Sequence, residues 1–212
     1  MNSNNGRFIS LEGIDACGKS TLIAHLKDYL HDQGWPVLSI REPGSTLISE
    51  KIRQLLLDAA SVGMRPSTEA ILYSAARCQL VEEIIEPALE QGKVILADRF
   101  FDSTLAYQGY GRGLDLGMLE TLHRVGSRDL QPHLTILLDI SPREARGRRE
   151  PGGEDRLEKE GLDFQELVRK GYLELASQNP NRIKTVNASM AWPQVWSQAL
   201  TLVEQCLQQD AG

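Results

Sequence analysis

Short, almost continuously apolar runs alternate along this chain with longer stretches of helical periodicity, and that alternation narrows its possible folds more than any other feature. The runs are RFISLE (7–12), VLSIR (37–41), KVILAD (93–98), LTILLDI (134–140) and IKTVN (183–187). Several lack an in–out alternation, as expected of strands covered on both faces. Helical patterns fall near 19–33, 48–58, 67–91, 115–125, 163–178 and 192–209. Strand followed by helix, repeated, predicts an open parallel sheet with right-handed crossovers and helices on both sides. In such α/β sheets, ligands gather beyond the carboxyl ends of the strands. A chain of 212 residues is expected to form one domain, 1–212, that buries its core without staples.

Between the first strand and the first helix lies GIDACGKS, Gly13 to Ser20, which fits G-x-x-x-x-G-K-[ST] without a gap. Gly13 and Gly18 let the backbone wrap with its N–H groups turned inward, making an anion nest. The helix that opens near Lys19 adds the positive end of its dipole. Lys19 is expected to reach the β- and γ-phosphates of a nucleoside triphosphate, and the Ser20 hydroxyl to coordinate Mg²⁺. The nucleotide-binding set is therefore Gly13, Ile14, Asp15, Ala16, Cys17, Gly18, Lys19, Ser20 and Thr21. The fold class becomes a P-loop NTPase-type, three-layer α/β fold with a five-stranded parallel sheet.

A P-loop leaves the acceptor open. No guanine-reading Asn-Lys-x-Asp is present. The strand VILAD ends in Asp98 with Arg99 next to it: a carboxylate there can hold a magnesium-bound water, and the guanidinium suits a second phosphate group. The net charge of −6 argues against a general nucleic-acid binder, which usually carries a basic face. No apolar run approaches the ~20 residues of a bilayer span. Cys17, Cys78 and Cys206 have no CxxC spacing and read as free thiols in a reducing cytoplasm.

Five segments, EGIDACGKST (12–21), REPGST (41–46), SAARCQLVEEIIEPAL (74–89), ADRFFDSTLAYQGYGRG (97–113) and DRLE (155–158), together resemble the bacterial thymidylate kinases over about residues 7–205. The resemblance implies transfer of the γ-phosphoryl group of ATP to thymidine monophosphate (dTMP), with Mg²⁺, in a cytoplasmic homodimer to which the 67–91 helix contributes. It assigns Tyr73 to stack on the base and Arg77 to hydrogen-bond a base carbonyl. Arg99 would grip the acceptor phosphate with Arg41 nearby, Thr104 would face the polar edge of the base, and Pro43 would wall its pocket. Tyr107 and Gln108 would line the sugar. Asp15 matches a carboxylate near the acceptor's 3'-hydroxyl, although a loop-stabilising Asx turn is an equal reading of that residue.

Some members of this family carry an arginine within the P-loop, where this chain has Ala16; those that lack it supply arginines from a lid. The Arg- and Gly-rich stretch 142–161 is the expected lid, with Arg146, Arg148 and Arg149 as catalytic candidates beside Lys19, Asp15 and Arg99. Ser45 stands where a second glycine is usual, and LISE replaces a Pro-Leu-Gly-Glu, so the path of that loop is open. Cys17 reads as a small buried side chain or as an oxidisable thiol beside a helix N-terminus. Two alternatives remain at this level. A kinase of another nucleotide or nucleoside would phosphorylate a different acceptor, and a nucleotide-driven switch would hydrolyse ATP without forming a phosphorylated small molecule.

Overall fold

The computed structural model describes residues 6–61, 63–148 and 156–208. The elements run β1 (Arg7–Glu12), α1 (Lys19–Asp32), β2 (Val37–Arg41), α2 (Leu47–Leu57) and α3 (Pro66–Leu80), which passes through a π-helical turn (Val81–Ile85) into α4 (Glu86–Glu90). Then come β3 (Val94–Asp98), α5 (Phe101–Thr104) with a π-helical continuation (Leu105–Gly111), α6 (Leu116–Ser127), β4 (Leu134–Asp139) and α7 (Pro142–Gly147). A 3₁₀ turn (Glu158–Glu160), α8 (Gly161–Gln178), β5 (Ile183–Asn187) and α9 (Trp192–Gln208) complete the order.

All five strands are parallel, in the order β2-β3-β1-β4-β5, flanked by helices. The three inner strands are buried almost throughout, whereas β2 and β5 at the edges are partly exposed. That difference explains why the inner strands read as unbroken apolar runs. Leu22, Ile23, Leu26 and Leu30 form the buried face of α1, and Val195, Ala199, Val203 and Cys206 that of α9. Each set recurs at the helical period, so each helix lays one stripe on the core.

The register brings the carboxyl ends of β1, β2 and β3 together. Asp98 lies opposite both Leu11 and Arg41, so Glu12, the P-loop, Arg41 and Arg99 share one end of the sheet. Strand positions agree with the sequence expectation to within a residue. The helix expected over 67–91 is instead α3 and α4 joined by the π turn. The segment 101–111, given no element from sequence, is helical. It is buried on nearly every side, from Phe101 through Gly109, and a helix without a solvent face shows no amphipathic period. Its close approach to α8 requires a bare backbone on the other side: a Cβ on Gly171 would lie 2.7 Å from the Tyr110 ring.

Behind this end of the sheet sits His123 of α6, stacked on Phe101 at 3.9 Å. Burial and the charge of Arg77 push its pKa down from 6.5 to about 4, so it is neutral in the fold. A histidine whose folded pKa is depressed contributes stability above pH 6.5 and loses it as the pH falls towards 4. The stability gap between the wild type and His123→Gln should therefore be widest at pH 7. It should close by about 3 kcal/mol at pH 4. Urea denaturation of both proteins at the two pH values measures it, and a pH-independent gap would show that the imidazole titrates normally.

Candidate active site

The P-loop follows directly from β1. Gly13 has φ 135° and lies against the neighbouring strand: a Cβ there would come within 2.5 Å of the Leu138 carbonyl. Gly18, at φ 104°, is the N-cap of α1 and turns the chain into the helix. Only glycine meets both demands at no steric cost. The Lys19 ammonium is folded back onto the loop, donating to the carbonyls of Gly13 at 3.2 Å and Ile14 at 3.1 Å. Ser20 donates to Asp98 Oδ2 at 3.3 Å.

Ala16, Cys17, Gly18, Lys19, Ser20 and Thr21 line a cleft of about 1080 Å³, whose far wall is Arg148, Ala188, Met190 and Trp192. Arg148 is held there by donating to the Ala188 carbonyl at 2.9 Å. Arg146 lies on the exposed side of α7, and Arg149 lies outside the described residues. Cys17 is buried and packs inside the loop, in line with the small-side-chain reading.

Asp15 faces the other way, into a second pocket of about 550 Å³. Pro43, Tyr73, Arg77, Arg99, Thr104, Tyr107 and Gln108 line it, joined by Glu42, Arg53, Leu57, Phe100, Ser103 and Leu157. Arg99 lines this pocket and reaches back to the P-loop. It takes a left-handed backbone conformation, φ 72°, that is unfavourable for a bulky residue. Its guanidinium donates to Gly13 O at 2.8 Å, Asp15 Oδ1 at 2.6 Å, Tyr107 Oη at 3.1 Å and Tyr172 Oη at 3.0 Å.

Arg77 is fully buried, between the rings of Phe100 and Phe101, with its guanidinium carbon 5.4 Å from each centroid. It pairs with Glu42 and donates to Thr104 Oγ1 at 2.6 Å. Its Nε and Nη1 have no hydrogen-bond partner, nor has Glu42 Oε2. Burial raises the Glu42 pKa against the pull of Arg77. Both groups are therefore buried with capacity to spare, two donor nitrogens on Arg77 and one acceptor oxygen on Glu42.

Arg41 lies apart from this pocket. Glu50, in the first turn of α2, takes its guanidinium at 2.9 Å, and the Arg41 side chain stays 55% exposed. Arg53, one helical turn further on, lines the pocket instead and donates to Pro43 O at 2.9 Å. Ser45 adopts φ 68°, a glycine-like conformation, so the loop keeps its turn despite the substitution. The Ser45 hydroxyl accepts from Arg41 N at 2.9 Å and its own N–H donates to Glu50 at 2.7 Å, contacts that hold the turn.

Three groups escaped the sequence reading. Glu12 ends an apolar strand, is fully buried and accepts four hydrogen bonds. Burial and the Asp102 charge raise its pKa to about 7, against the opposing effects of Arg99, Ser103 and the Phe100 N–H. Tyr172 of α8 reaches the same place from 160 residues away, without any local motif to mark it. Glu69 accepts from Gln108 at 2.8 Å and pairs with Arg112 at 3.2 Å and Arg156 at 2.6 Å. Burial would raise its pKa, but these partners hold it below the usual carboxylate value. Arg156 of DRLE is thus anchored to the wall of the second pocket, which places Leu157 at its edge. The only available signal was an acid at the end of an apolar strand and another in the first turn of a helix.

Among the described residues no cluster of three or more His, Cys, Asp or Glu side chains could hold a metal, and no helix is long and apolar enough to cross a membrane. The chain matches the family model described as Thymidylate kinase over residues 11–198. Proteins named thymidylate kinase are among its relatives. That of Symbiobacterium thermophilum is 46% identical over 200 residues, 94% of each chain. That of Syntrophotalea carbinolica is 50% identical over 190 residues, 86% of this chain and 88% of the relative. That of Desulforudis audaxviator is 49% identical over 184 residues, 86% and 83%.

Proposed function

The chain belongs to the thymidylate kinase family, and from that premise we propose that ATP and dTMP occupy its two pockets, with the phosphoryl group passing between them beside Arg99 and Asp15. The protein phosphorylates dTMP to the diphosphate. The observation that carries the division of labour is the P-loop between the pockets: Ala16 to Thr21 line one and Asp15 the other, where Arg99 reaches Gly13 and Asp15.

ATP binds in the P-loop cleft, where Lys19 leaves the Gly13 and Ile14 carbonyls for the β- and γ-phosphates. Arg148, fixed on Ala188, bears on the donor nucleotide from the opposite wall; Arg146 and Arg149 are the remaining lid candidates. Ser20 and Asp98 form a hard oxygen pair of the kind Mg²⁺ favours, and with no larger acidic cluster among the described residues the ion would draw its other ligands from phosphate and water. Bound there, Mg²⁺ would offset the charge of the phosphates.

On the acceptor side, Tyr73 stacks on thymine, the unpartnered donors of Arg77 take a base carbonyl, and Thr104, Pro43 and Gln108 complete the pocket. Tyr107 packs on the deoxyribose. The incoming phosphate displaces Asp15 from Arg99, which frees the carboxylate for the sugar 3'-hydroxyl. Arg41 serves the loop through Glu50, and Arg53 supplies the second positive group near the acceptor. Transfer then depends on positioning and electrostatics, because both phosphates are clamped and water is shut out.

We extend the proposal to a cytoplasmic homodimer. Helices α2, α3 and α6 expose Leu47 (73%), Leu55, Ile71 and Val125 (79%), apolar groups that a second copy would cover. The free thiols Cys17, Cys78 and Cys206 suit a reducing compartment.

The test is phosphate transfer from labelled ATP with each nucleoside monophosphate offered in turn. Labelled thymidine diphosphate should be the dominant product and should vanish on chelation of magnesium. Preferential labelling of another nucleotide, or hydrolysis with no labelled nucleotide, would refute the assignment.

A further inference from the structure

We propose that Glu12 is a positioning residue for the acceptor phosphate, acting through the hydroxyls of Ser103 and Tyr172 on the direction of the Arg99 guanidinium. The inference rests on the reading of Arg99 as the ligand of that phosphate.

Glu12 is buried completely, in a place where a carboxylate is costly unless every lone pair is used. Its four donors converge on Arg99 from two sides. Oε1 accepts from the N–H of Phe100 at 2.7 Å, the residue after Arg99, and from Ser10 Oγ at 3.0 Å. That bond, with Arg99 N donating to Leu11 O at 3.1 Å, pins the backbone on either side of the left-handed Arg99. Oε2 accepts from Ser103 Oγ at 2.5 Å and Tyr172 Oη at 2.9 Å. Those two oxygens in turn accept from Arg99 Nη1, at 3.3 and 3.0 Å.

The chemistry of the middle step requires the ionised form, which prevails above the raised Glu12 pKa of about 7, so the binding below is measured at pH 8.5. A hydroxyl is both donor and acceptor, and its hydrogen turns to whichever neighbour accepts it. An ionised carboxylate only accepts. It draws the hydrogens of Ser103 and Tyr172 to itself and leaves their lone pairs facing Arg99, which only donates. Burial pushes the Tyr172 phenol far above its ordinary pKa, so that hydroxyl keeps its hydrogen. An amide in place of the carboxylate offers N–H groups to the same hydroxyls. One of those hydrogens can then turn to the other hydroxyl, since Ser103 Oγ and Tyr172 Oη lie 2.8 Å apart, which uses a lone pair that faced Arg99 and weakens its support. The packing of the thymine pocket does not depend on which way those hydrogens point.

Binding of dTMP and of thymidine, which lacks the phosphate, separates this role from a structural one. Both are measured by calorimetry on the wild type, Glu12→Gln, Tyr172→Phe and Arg99→Ala. Glu12→Gln should weaken dTMP about tenfold, the scale of one hydrogen bond to a charged group, and thymidine less than about twofold. Tyr172→Phe, which keeps the ring and removes one relay, should weaken dTMP roughly threefold and spare thymidine. Should Glu12→Gln fail to fold, Tyr172→Phe alone decides. Added to Arg99→Ala, the Glu12→Gln change should cost nothing further.

Equal loss of dTMP and thymidine in Glu12→Gln, or no loss of either, overturns the inference. So does wild-type dTMP binding by Tyr172→Phe. Arg99→Ala distinguishes the two levels. If it fails to weaken dTMP more than thymidine, the reading of Arg99 falls and takes the inference with it. If it discriminates while Glu12→Gln and Tyr172→Phe bind as wild type, only the inference falls.

Discussion

Lys19→Met should lower turnover by roughly three orders of magnitude while leaving the affinity for dTMP within about twofold of wild type. Methionine keeps much of the length and packing of the stem but carries no charge. In the structure the ammonium rests on two loop carbonyls, Gly13 and Ile14, so the loop itself loses only hydrogen bonds that backbone and water can replace. The charge matters once the phosphates are present, and more in the transition state, where negative charge spreads over the transferring group. The pocket proposed for dTMP is lined by other residues, which is why dTMP binding should survive. Steady-state kinetics with calorimetric dTMP binding measures both. Turnover near wild type would remove the P-loop from the donor site.

The second large effect is on stability as much as on binding. Arg77→Leu should destabilise the chain by roughly 3–5 kcal/mol, because it leaves the Glu42 carboxylate buried without its counter-charge. Arg77 lies between Phe100 and Phe101, with Glu42 and Thr104 as its polar partners, so leucine in its place takes the counter-charge from a carboxylate whose side chain is only 3% exposed. The double variant Arg77→Leu with Glu42→Leu should recover most of that loss, since a buried ion pair is often replaceable by apolar groups. It should not recover dTMP binding, because the donors proposed to read thymine are gone. Denaturant unfolding and calorimetry on the single and double variants separate the two roles. A single variant as stable as wild type would mean that Glu42 is protonated in the fold.

Much of this architecture was legible in advance. The inner strands announced themselves as unbroken apolar runs, since both their faces are covered. The P-loop was readable because its glycines answer to purely local demands, a close approach to Leu138 at Gly13 and a left-handed turn at Gly18. The helical segment 101–111 was not, because a helix buried all round carries no stripe. Glu12 was hidden for a related reason: at the end of an apolar strand a single acid is indistinguishable from the first residue of a solvated loop.

The acceptor side shows the limit more sharply. That Arg41, Arg77 and Arg99 belong to one region followed from their motifs. Which of them faces the pocket did not. Arg41 is drawn away by Glu50, nine residues along the chain on α2, and Arg53 lines the pocket from one turn later. Tyr172 joins Glu12 only because α8 packs against the 105–111 segment and β4. By itself, then, the order of residues determined most of the elements and the phosphate loop, which depend on neighbours within a few positions, and its resemblance to known kinases supplied the kind of chemistry. The tertiary structure alone decided the partners of each charged side chain. A hydrogen bond or ion pair forms only between groups brought within about 3 Å of each other, and for residues tens of positions apart that distance is set by sheet register and helix packing.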